Sequence, residues 1–477
     1  MSTNFLNNPV YNWSKTKILS NYNQLHFPNS ISELRSLVLN HKKVRCIGSK
    51  LTYNNLTKVS NENDSILIDI KNFVGLIHLD KKKNTAKFWA GTTIKEISET
   101  LEKNSKYFSS STGVIGDQTF AGALGTGIHG QGLHVVPFVD TLKEAEIMLA
   151  SGAIIKVDSK KKNFLDALKT HLGVFGIILT ITIEISDLKI MTCKKKTISL
   201  DKFEETFIKI QRSEKYCKGW WFPDFDLVHI WEADVANEHE LELYEKNGRN
   251  LVNVHQNLDN ELSKSIDLLE KRMKTDTNDD STAGKQFQTI SRFRNVVNVT
   301  GTMHQVYMKG IPVPQINCEI AIPIKNFELS LKVLKKWKNE TKFKLHYPFI
   351  FRCTAASEAL LSPHRGEEIC WIGFLVYLDS EGNAAKGSFE MMREIQQVLL
   401  PLGGMPHNGK YFDMDLYNLE KFYPKLKDFL FLQKMLDPEQ KFQNEYTKKF
   451  FAAYCHNKTT CNKVIEIKNN NLLESRL

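Results

Sequence analysis

The sequence predicts an α+β fold in two parts, and three observations support this. At 477 residues the chain is long for one hydrophobic core, so two domains are expected. Over the first 190 residues, strand-like segments outnumber helical ones and do not alternate with them regularly. Beyond about residue 190 the strands become rich in aromatic residues and longer helical segments follow them.

The first part begins with a helix and a series of short strands. The helix is predicted from Ser30, because Glu33 follows at capping-box spacing and leucines provide the apolar period. A second helix is predicted in "TIKEISETLEKNS", and a hairpin in "TLKEAEIMLASGAIIKVD" turns at Ser151 and Gly152. Strands are predicted within residues 44–47, 65–73, 76–80, 85–91 and 175–185.

The second part combines aromatic strands with helices. The segment "GWWFPDFDLVHIWEAD" is predicted as strands, residues 238–273 as a polar helical region, and residues 275–286 as an exposed loop. Later strands are predicted at 317–323 and 370–378, and helices at 327–341, 388–402 and within 421–446.

Composition indicates a globular protein, with 42% hydrophobic and 25% charged residues. No run is long enough for a transmembrane helix, and the start lacks a secretory hydrophobic stretch and hence a signal peptide. We therefore expect a soluble protein, cytoplasmic or otherwise intracellular. Eight cysteines show neither CxxC nor zinc-type spacing, so no metal is predicted.

The formal net charge of +10 raises the possibility of nucleic-acid binding. The lysines, however, lie in short dispersed runs, and two of the runs fall in polar breaks between strands, where lysine solvates a turn. We therefore expect no nucleic-acid partner. A basic surface still favours an anionic cofactor or substrate.

One segment, "TGVIGDQTFAGALGTGIHGQG" at residues 112–132, contains 7 of the 25 glycines. Glycine is retained where φ must be positive or where another group approaches the main chain closely. The segment is therefore interpreted either as a set of tight turns or as a cradle for an anionic or flat ligand.

Several motifs carry a family resemblance in their order and spacing. They are "VRCIGSKLTYN", the segment 112–132, "HLGVFGIILTITIEI", "WWFPDFD", "RCTAASEALLSPHRGEE", "PHNGK" and "LDPEQKFQNEY". Together they resemble the PCMH-type FAD-binding proteins of the vanillyl-alcohol oxidase superfamily. Within it, the chain is similar to the aldonolactone and alditol oxidases, of the D-arabinono-1,4-lactone and L-gulonolactone oxidase type. The matches extend from about Trp13 to Tyr446.

The resemblance implies FAD as cofactor and assigns the residues around it. Backbone N–H groups at small residues can approach the pyrophosphate directly. The first pyrophosphate loop corresponds to Gly48, Ser49, Lys50, Leu51 and Thr52. The second corresponds to Gly113, Gly116, Asp117, Gln118, Thr119, Gly122, Thr126, Gly127, His129 and Gly130. The segment near the adenine corresponds to Gly173, Gly176 and Ile177.

Two positions predict how the flavin is held and reoxidised. Many relatives bond FAD covalently through a histidine at the position of Leu51, so the flavin is expected to be non-covalent, with no such bond from His129. Gly113 matches a position where dehydrogenase relatives have a bulkier residue that blocks oxygen. Molecular oxygen is therefore the expected acceptor and hydrogen peroxide the expected product.

The resemblance also implies a catalytic pair, Arg352 and Lys410, which face flavin and substrate. The family glutamate two residues before the arginine is replaced by Ile350, so the usual aldonolactone is expected to be a poorer substrate. His346 or Tyr347 could act as a substitute base. Asn408 replaces a family tryptophan, which predicts a changed pocket wall.

The predicted function is an FAD-dependent oxidase that transfers a hydride from an alcohol or sugar-lactone-type substrate to flavin N5. The alternatives are a dehydrogenase with a non-oxygen acceptor and a flavin- or sugar-binding protein without turnover. The resemblance implies a two-subdomain FAD-binding domain at 1–190 and an α/β cap domain with an antiparallel sheet at 191–410. A C-terminal segment at 411–477 returns to the FAD domain.

Overall fold

The computed structural model describes residues 8–213, 215–255, 260–277, 293–294, 296–310, 313–363, 366–379 and 381–452. Its strands are numbered β1–β20 and its α-helices α1–α13 within these ranges. Among the helices of these ranges, none is both long enough and apolar enough to cross a membrane.

The chain begins with two small sheets. β1 (Pro9–Tyr11) and β2 (Ile18–Asn21) form an antiparallel pair. β3 (Leu25–His26), β4 (Lys43–Ile47) and β5 (Ser65–Asp69) form a parallel sheet in the order β3-β5-β4. Helix α1 (Ile31–Asn40) connects β3 to β4, the two strands that flank β5, and the Ser30 hydroxyl accepts from the Glu33 amide at 3.1 Å to cap it.

A six-stranded antiparallel sheet completes this part of the fold. Its order is β10-β9-β11-β7-β6, and β8 also pairs with β11. β11 is the longest strand, and its isoleucines and threonines suit a pleated, buried position. The bounds are β6 (Leu76–Asp80), β7 (Thr85–Trp89), β8 (Lys106–Phe108), β9 (Leu142–Met148), β10 (Ile154–Val157) and β11 (Ile177–Asp187).

The rest of the chain is built on a nine-stranded antiparallel sheet in the order β15-β16-β12-β14-β13-β18-β19-β17-β20. The bounds are β12 (Ile190–Ser199), β13 (Tyr216–Phe222), β14 (Leu227–Val235), β15 (Val252–His255), β16 (Val297–Thr302), β17 (Gln315–Pro323), β18 (Phe349–Thr354), β19 (Ile369–Tyr377) and β20 (Met405–Pro406).

Helices α5 (Leu200–Gln211) and α9 (Phe327–Glu340) pack on one face of this large sheet, and the functional site lies on the other face. Phe351 of β18 packs against Phe203 of α5 and Phe327 of α9, with ring centroids 5.4 and 6.1 Å apart. The remaining α-helices are α2 (Ile94–Glu102), α3 (Phe120–Thr126), α4 (Lys162–Leu168), α5 (Leu200–Gln211), α6 (Glu238–Lys246), α7 (Asn260–Thr277), α8 (Met303–Tyr307), α9 (Phe327–Glu340), α10 (Ser388–Leu399), α11 (Leu419–Phe422), α12 (Leu426–Leu436) and α13 (Glu445–Ala452).

The C-terminal residues contact the small parallel sheet near the start of the chain. The Val44 amide donates to the Lys441 carbonyl at 3.0 Å. The Asn444 side-chain amide donates to the carbonyls of Asn55 and Lys58 at 2.9 and 2.6 Å. The domain boundaries near 190 and 410 stay predictions.

The α+β class is confirmed, and the predicted strands of the first part are all present. Two predictions need correction. The polar region 238–273 is not one helical region, because β15 separates α6 from α7 and pairs with β16. The predicted loop at 275–286 begins inside α7, and its residues beyond Thr277 lie outside the described residues.

Candidate active site

The glycine-dense segment 112–132 folds around a short helix. The Thr119 hydroxyl accepts from the Gly122 amide at 3.2 Å and caps the start of α3. The helix ends at Gly127, whose φ of 73° is the left-handed conformation that glycine tolerates best. The segment is thus neither a set of turns alone nor an open loop.

Close backbone approach explains two of the glycines predicted to bind the cofactor. A Cβ at Gly48 would overlap the Thr119 hydroxyl, and a Cβ at Gly130 would overlap the Ser111 carbonyl. Glycine therefore lets the loop after β4 lie directly against the start of α3. Gly113 differs, since the nearest atom to a Cβ there would be 3.4 Å away.

These segments border a cavity, here called the cofactor cavity. Most of the predicted cofactor residues lie in its wall. They are Gly48, Ser49, Lys50, Leu51, Thr52, Gly113, Gln118, Thr119, Gly122, Thr126, His129 and Gly173.

The other six predicted cofactor residues lie outside the wall of the cavity. The Asp117 carbonyl accepts from the Ser49 hydroxyl and joins the two loops. Gly127 ends α3, and Gly176, with φ of 146°, packs beneath the Met148 carbonyl at the start of β11. Gly116, Gly130 and Ile177 are likewise not among the residues that line it.

Four residues in the wall of the cofactor cavity each carry a buried polar atom. Arg45 Nε, Thr52 Oγ1, Thr57 Oγ1 and Gln118 Oε1 have no hydrogen-bond partner among the residues that the structure describes. Such atoms are costly unless a ligand satisfies them. A dinucleotide with many polar oxygens and ring nitrogens fits this donor and acceptor set.

A second cavity, here called the substrate cavity, adjoins the first. It lies against the face of the nine-stranded sheet opposite α5 and α9. Both cavities are lined by Val114, Ile115, Glu319, Arg352 and Lys410. Alternate residues of β17 and β18 reach it, because successive side chains point to opposite faces. Further lining residues are Lys218, Trp220, Gly310, Gln315, Asn317, Tyr347, Ile350, Gly373, Leu375 and Tyr377.

A charged cluster stands where the two cavities meet. Glu319 Oε1 is in contact with Arg352 Nη2, and Glu319 Oε2 lies 3.5 Å from His129 Nε2 and 4.0 Å from Lys410 Nζ. Glu319 is only 3% exposed. Its neighbours therefore hold the carboxylate in place from three sides.

The electrostatics of the cluster fix its protonation at neutral pH. Burial alone would raise the pKa of Glu319, but the charges around it, first that of Arg352, hold the pKa well below its usual range. Burial and the Arg352 charge lower the pKa of His129 to about 4. The cluster thus contains an ionised carboxylate, a guanidinium, a neutral imidazole and Lys410, whose pKa burial lowers.

The two predicted catalytic residues, Arg352 and Lys410, both lie beside Glu319 in the charged cluster. The Glu319 carboxylate is the group that the sequence analysis missed. Ile350 does line the substrate cavity, but Glu319 enters from β17 beside it. Gly373 of β19 pairs with both positions, and a Cβ there would lie 3.4 Å from Ile350 Cβ and 3.8 Å from Glu319 Oε1. The absent side chain at Gly373 leaves room for the carboxylate.

A pattern in the sequence could have identified Glu319. In the buried strand "QINCEIAIP", polar Gln315, Asn317 and Glu319 alternate with apolar residues. Such alternation in a strand that is buried throughout marks a face directed at something polar. All three side chains line the substrate cavity.

Three other positions are placed as follows. Tyr347 lines the substrate cavity, whereas His346 is buried outside the walls of both cavities. The change of pocket wall expected at Asn408 stays a prediction. Asn408 is not among the residues that line either cavity, and its side chain accepts from the Tyr423 hydroxyl at 3.1 Å and donates to the Leu361 carbonyl at 3.3 Å.

Comparisons with known proteins agree with this architecture. Residues 181–450 match the family described as D-arabinono-1,4-lactone oxidase, and residues 25–158 match the FAD binding domain family. The L-gulonolactone oxidase of Mus musculus is 23% identical over 449 residues, covering 92% of this chain and 97% of that protein. The L-gulono-1,4-lactone dehydrogenase of Mycobacterium tuberculosis is 21% identical over 437 residues, covering 88% and 94%.

A solved structure shares the fold. Cholesterol oxidase from B. sterolicum superposes with a TM-score of 0.72 at 15% identity, covering 94% of this chain and 99% of that chain. The match to the lactone oxidase family spans more than half of the sequence and includes Glu319, Arg352 and Lys410. The chain belongs to the D-arabinono-1,4-lactone oxidase family, FAD-dependent oxidoreductases that act on CH–OH donors.

Proposed function

We propose that the protein oxidises a CH–OH carbon of a sugar lactone or related alcohol, with non-covalently bound FAD and molecular oxygen as the electron acceptor. One observation carries the proposal: the cofactor and substrate cavities meet at Glu319, Arg352 and Lys410. A substrate and a flavin ring in adjoining cavities would both contact this charged cluster.

The residues that would hold FAD are those that line the cofactor cavity. Thr52, Gln118 and Arg45 offer buried polar atoms, and the loops at 48–52 and 113–119 offer backbone amides to the pyrophosphate. When bound, FAD supplies the hydride acceptor and the site at which oxygen is reduced. The chain itself supplies binding, orientation and charge.

The charged cluster would orient the substrate and stabilise negative charge. Arg352 is a fixed cation with a planar set of donors, and its contact with Glu319 holds that plane in one orientation. Charge that develops on the substrate oxygen would be stabilised by Arg352 and Lys410, which are already in place before the reaction. Glu319 would accept a hydrogen bond from a substrate hydroxyl. This is the contact that the apolar side chain of Ile350 cannot make.

Several features of the cofactor cavity support non-covalent FAD. Leu51 lines the cavity and has no nucleophile. Burial raises the pKa of Cys46, which also lines it, to about 12, so its thiol stays protonated. His171 accepts from the Gly173 amide at 2.9 Å and bonds the Ala121 carbonyl at 3.0 Å, so both its ring nitrogens are engaged.

The lack of a side chain at Gly113 supports oxygen as the acceptor. The residue lines the cofactor cavity, and no atom lies closer than 3.4 Å to the place where a side chain would begin. Oxygen could therefore approach there. One relative, from M. tuberculosis, is named a dehydrogenase, so the electron acceptor needs a direct test.

The test is spectroscopic and kinetic. Purified protein saturated with FAD should be yellow, and acid precipitation should release the colour into the supernatant. A panel of aldonolactones, alditols and simple alcohols is then screened anaerobically for bleaching of the flavin and aerobically for peroxide. Bleaching without peroxide would favour the dehydrogenase, and FAD binding that no compound bleaches would favour a binding protein. Colour that remains in the pellet would contradict non-covalent attachment.

A further inference from the structure

The substrate cavity has a polar stripe along one strand. Gln315, Asn317 and Glu319 are alternate residues of β17, and all three line the cavity. Alternate residues of a strand point to the same face, so these side chains form a row along β17. The Glu319 carboxylate accepts hydrogen bonds, and the two amides both donate and accept them. Hydroxyl groups of a substrate therefore find partners along this strand.

The neighbouring strand, β19, presents a largely apolar surface beside this stripe. In the antiparallel register Leu375 lies opposite Asn317, and Tyr377 lies opposite Gln315. Both Leu375 and Tyr377 line the cavity. Paired strands are about 5 Å apart, so the surface changes from polar to largely apolar over a distance comparable to one sugar ring.

The apolar surface continues onto the next two strands, β18 and β13. Ile350 of β18 and Trp220 of β13 are partners in the register, and both line the cavity. The Trp220 ring lies 4.8 Å from that of Trp231 and 5.4 Å from that of Phe293, measured between ring centroids. This packing holds the Trp220 ring in place. Ile350 is half-buried, and its side chain is accessible from the cavity.

These residues form one surface, which begins beside the charged cluster. The surface is here called the apolar wall and consists of Trp220, Ile350, Leu375 and Tyr377. The row next to it contains Lys218 and Arg352, which are partners in the register, and Arg352 lines both cavities. Ile350 is two residues from Arg352 on the same face of β18, a step of about 7 Å. A substrate larger than one sugar ring that reacts beside Arg352 therefore reaches the apolar wall.

The apolar wall is a poor surface for hydroxyl groups and a good one for hydrocarbon. A hydroxyl placed against Ile350 or Leu375 would lose its hydrogen bonds to water, and these side chains cannot replace them. An alkyl or aryl group gains by leaving water there. We propose that the substrate bears hydroxyl groups on one side, bound by the side chains of β17, and an alkyl or aryl group on the other, bound on the apolar wall. The inference rests on the proposed function, since it names the substrate class of the same site.

The first experiment compares substrates that differ in one part of the molecule. FAD-saturated protein is assayed anaerobically, by flavin bleaching, with two sets of compounds. One set pairs an alkane diol, with both hydroxyls at one end, with the alditol of equal chain length. The other compares α-hydroxy-γ-lactones that carry a butyl or a phenyl group at the γ-carbon with the aldonolactone, whose substituent there is hydroxylated.

We expect the apolar member of at least one set to have the higher kcat/KM, by roughly tenfold or more. Each methylene group that leaves water contributes a gain of about fourfold, so a short alkyl chain suffices for this preference. The better of the butyl and phenyl lactones identifies the kind of apolar group. A hydroxylated member that reacts as well as, or better than, its apolar counterpart in both sets would overturn the proposal.

Variants of Ile350 then test the wall. Threonine and valine have nearly the same shape at this position, and only threonine adds a hydroxyl. Ile350→Thr should therefore lower the preference for the apolar member at least fivefold relative to Ile350→Val, because an alkyl or aryl group would strip water from that hydroxyl without replacing it. Both kcat/KM values come from one preparation, so inactive protein cancels from their ratio. Equal preference in the two variants would contradict the inference.

A binding measurement keeps this inference separate from the proposed function. If no compound bleaches the flavin, the oxidase proposal fails, but calorimetric titration of the FAD-saturated protein with the members of each set still tests the wall. Saturable binding of an apolar member, with a negative heat-capacity change and with an affinity that Ile350→Thr lowers relative to Ile350→Val, supports the inference. Absence of binding by the apolar members, or equal affinity for the hydroxylated ones, overturns it.

Discussion

Glu319 is the residue on which the charged cluster depends. It is the shared neighbour of Arg352, Lys410 and His129, and its low pKa keeps it ionised at neutral pH. Without this carboxylate, two buried cations would face each other across the junction of the cavities. Removing one member of a buried ion pair is more harmful than its net stabilisation suggests, because the remaining charge loses its partner.

Glu319→Gln is therefore expected to slow substrate oxidation strongly. The amide preserves the shape but no longer fixes the orientation of Arg352 by charge, so the loss in the rate of flavin reduction should be roughly 100- to 1,000-fold. Anaerobic stopped-flow reduction of the FAD-saturated variant measures it. Glu232→Gln serves as the control, since Glu232 pairs with Lys196 and Lys215 outside both cavities. A reduction rate within twofold of the wild type would remove Glu319 from the mechanism.

Gly113 offers a separate test of the electron acceptor. An alanine fits there without a clash, since the nearest atoms to its Cβ would be the His129 carbonyl at 3.4 Å and Ile128 Cδ1 at 3.6 Å. Gly113→Ala should slow aerobic reoxidation of the reduced flavin by about tenfold or more, a barrier increase of about 1.4 kcal/mol, while anaerobic reduction by substrate stays unchanged. Reduction in the same variant is the internal control. Unaltered reoxidation would mean that oxygen reaches the flavin by another route.

At the scale of elements, local sequence signals predicted most strands, but they did not predict which residues of the nine-stranded sheet face the candidate site. The caps at Ser30 and Thr93 and the β-branched run of β11 are short-range signals, and each element formed where predicted. β15 was missed because its pairing with β16 joins segments far apart in sequence. Helix α3 was missed because three glycines within or beside it hide a helical period.

The same difference between short-range and long-range signals explains which residues of the candidate site were predicted. Arg352 and Lys410 were predicted because each stands in a contiguous motif. Glu319 was missed because its role arises from the lateral order β18-β19-β17, which places it across Gly373 from Ile350.

Thr119 links an element boundary to cofactor binding. Its hydroxyl caps α3, and its side chain lies against Gly48 in the wall of the cofactor cavity. Thr119→Ala should lower the free energy of unfolding by about 1 kcal/mol and also weaken FAD binding. Thr93→Ala is the matched control, because Thr93 caps α2 in the same way but does not line the cavity. Fluorescence titration measures the affinity for FAD, and urea unfolding measures the free energy of unfolding. An equal effect of the two variants on FAD affinity would contradict a role for Thr119 in the cradle.

At the scale of the whole molecule, the site depends on segments that are distant in sequence. The cofactor cavity is lined by residues from Arg45 to Lys410, and the C-terminal residues close around the same region. Arg45 donates to the Gly173 carbonyl at 2.9 Å and also contacts the Phe442 carbonyl. The cavity therefore forms only when the beginning, middle and end of the chain are packed together, and its buried histidines report on the stability of the whole fold.

The folded protein should lose stability as the pH falls below neutral. Burial, with the Arg352 charge at His129, lowers the pKa of His129 and that of His171 from 6.5 to about 4. The unfolded chain therefore binds protons between these values that the folded chain does not. The contribution of each neutral histidine is complete above pH 6.5 and declines toward pH 4. At pH 5 the loss is roughly 2 kcal/mol at most for each histidine.

Urea unfolding of the FAD-free protein at pH 7.5 and at pH 5.0 measures this loss. Glu319 contributes little to it, because a carboxyl group with a lowered pKa loses its stabilising effect only below its unfolded pKa of about 4.5. His129→Gln should reduce the difference in the free energy of unfolding between the two pH values. This variant distinguishes the effect of the histidine from that of buried carboxyl groups such as Asp437, whose pKa burial raises. His78→Gln, at an exposed position, should leave the difference unchanged. Equal stability of the wild-type protein at both pH values would show that these imidazoles can be protonated without unfolding the chain.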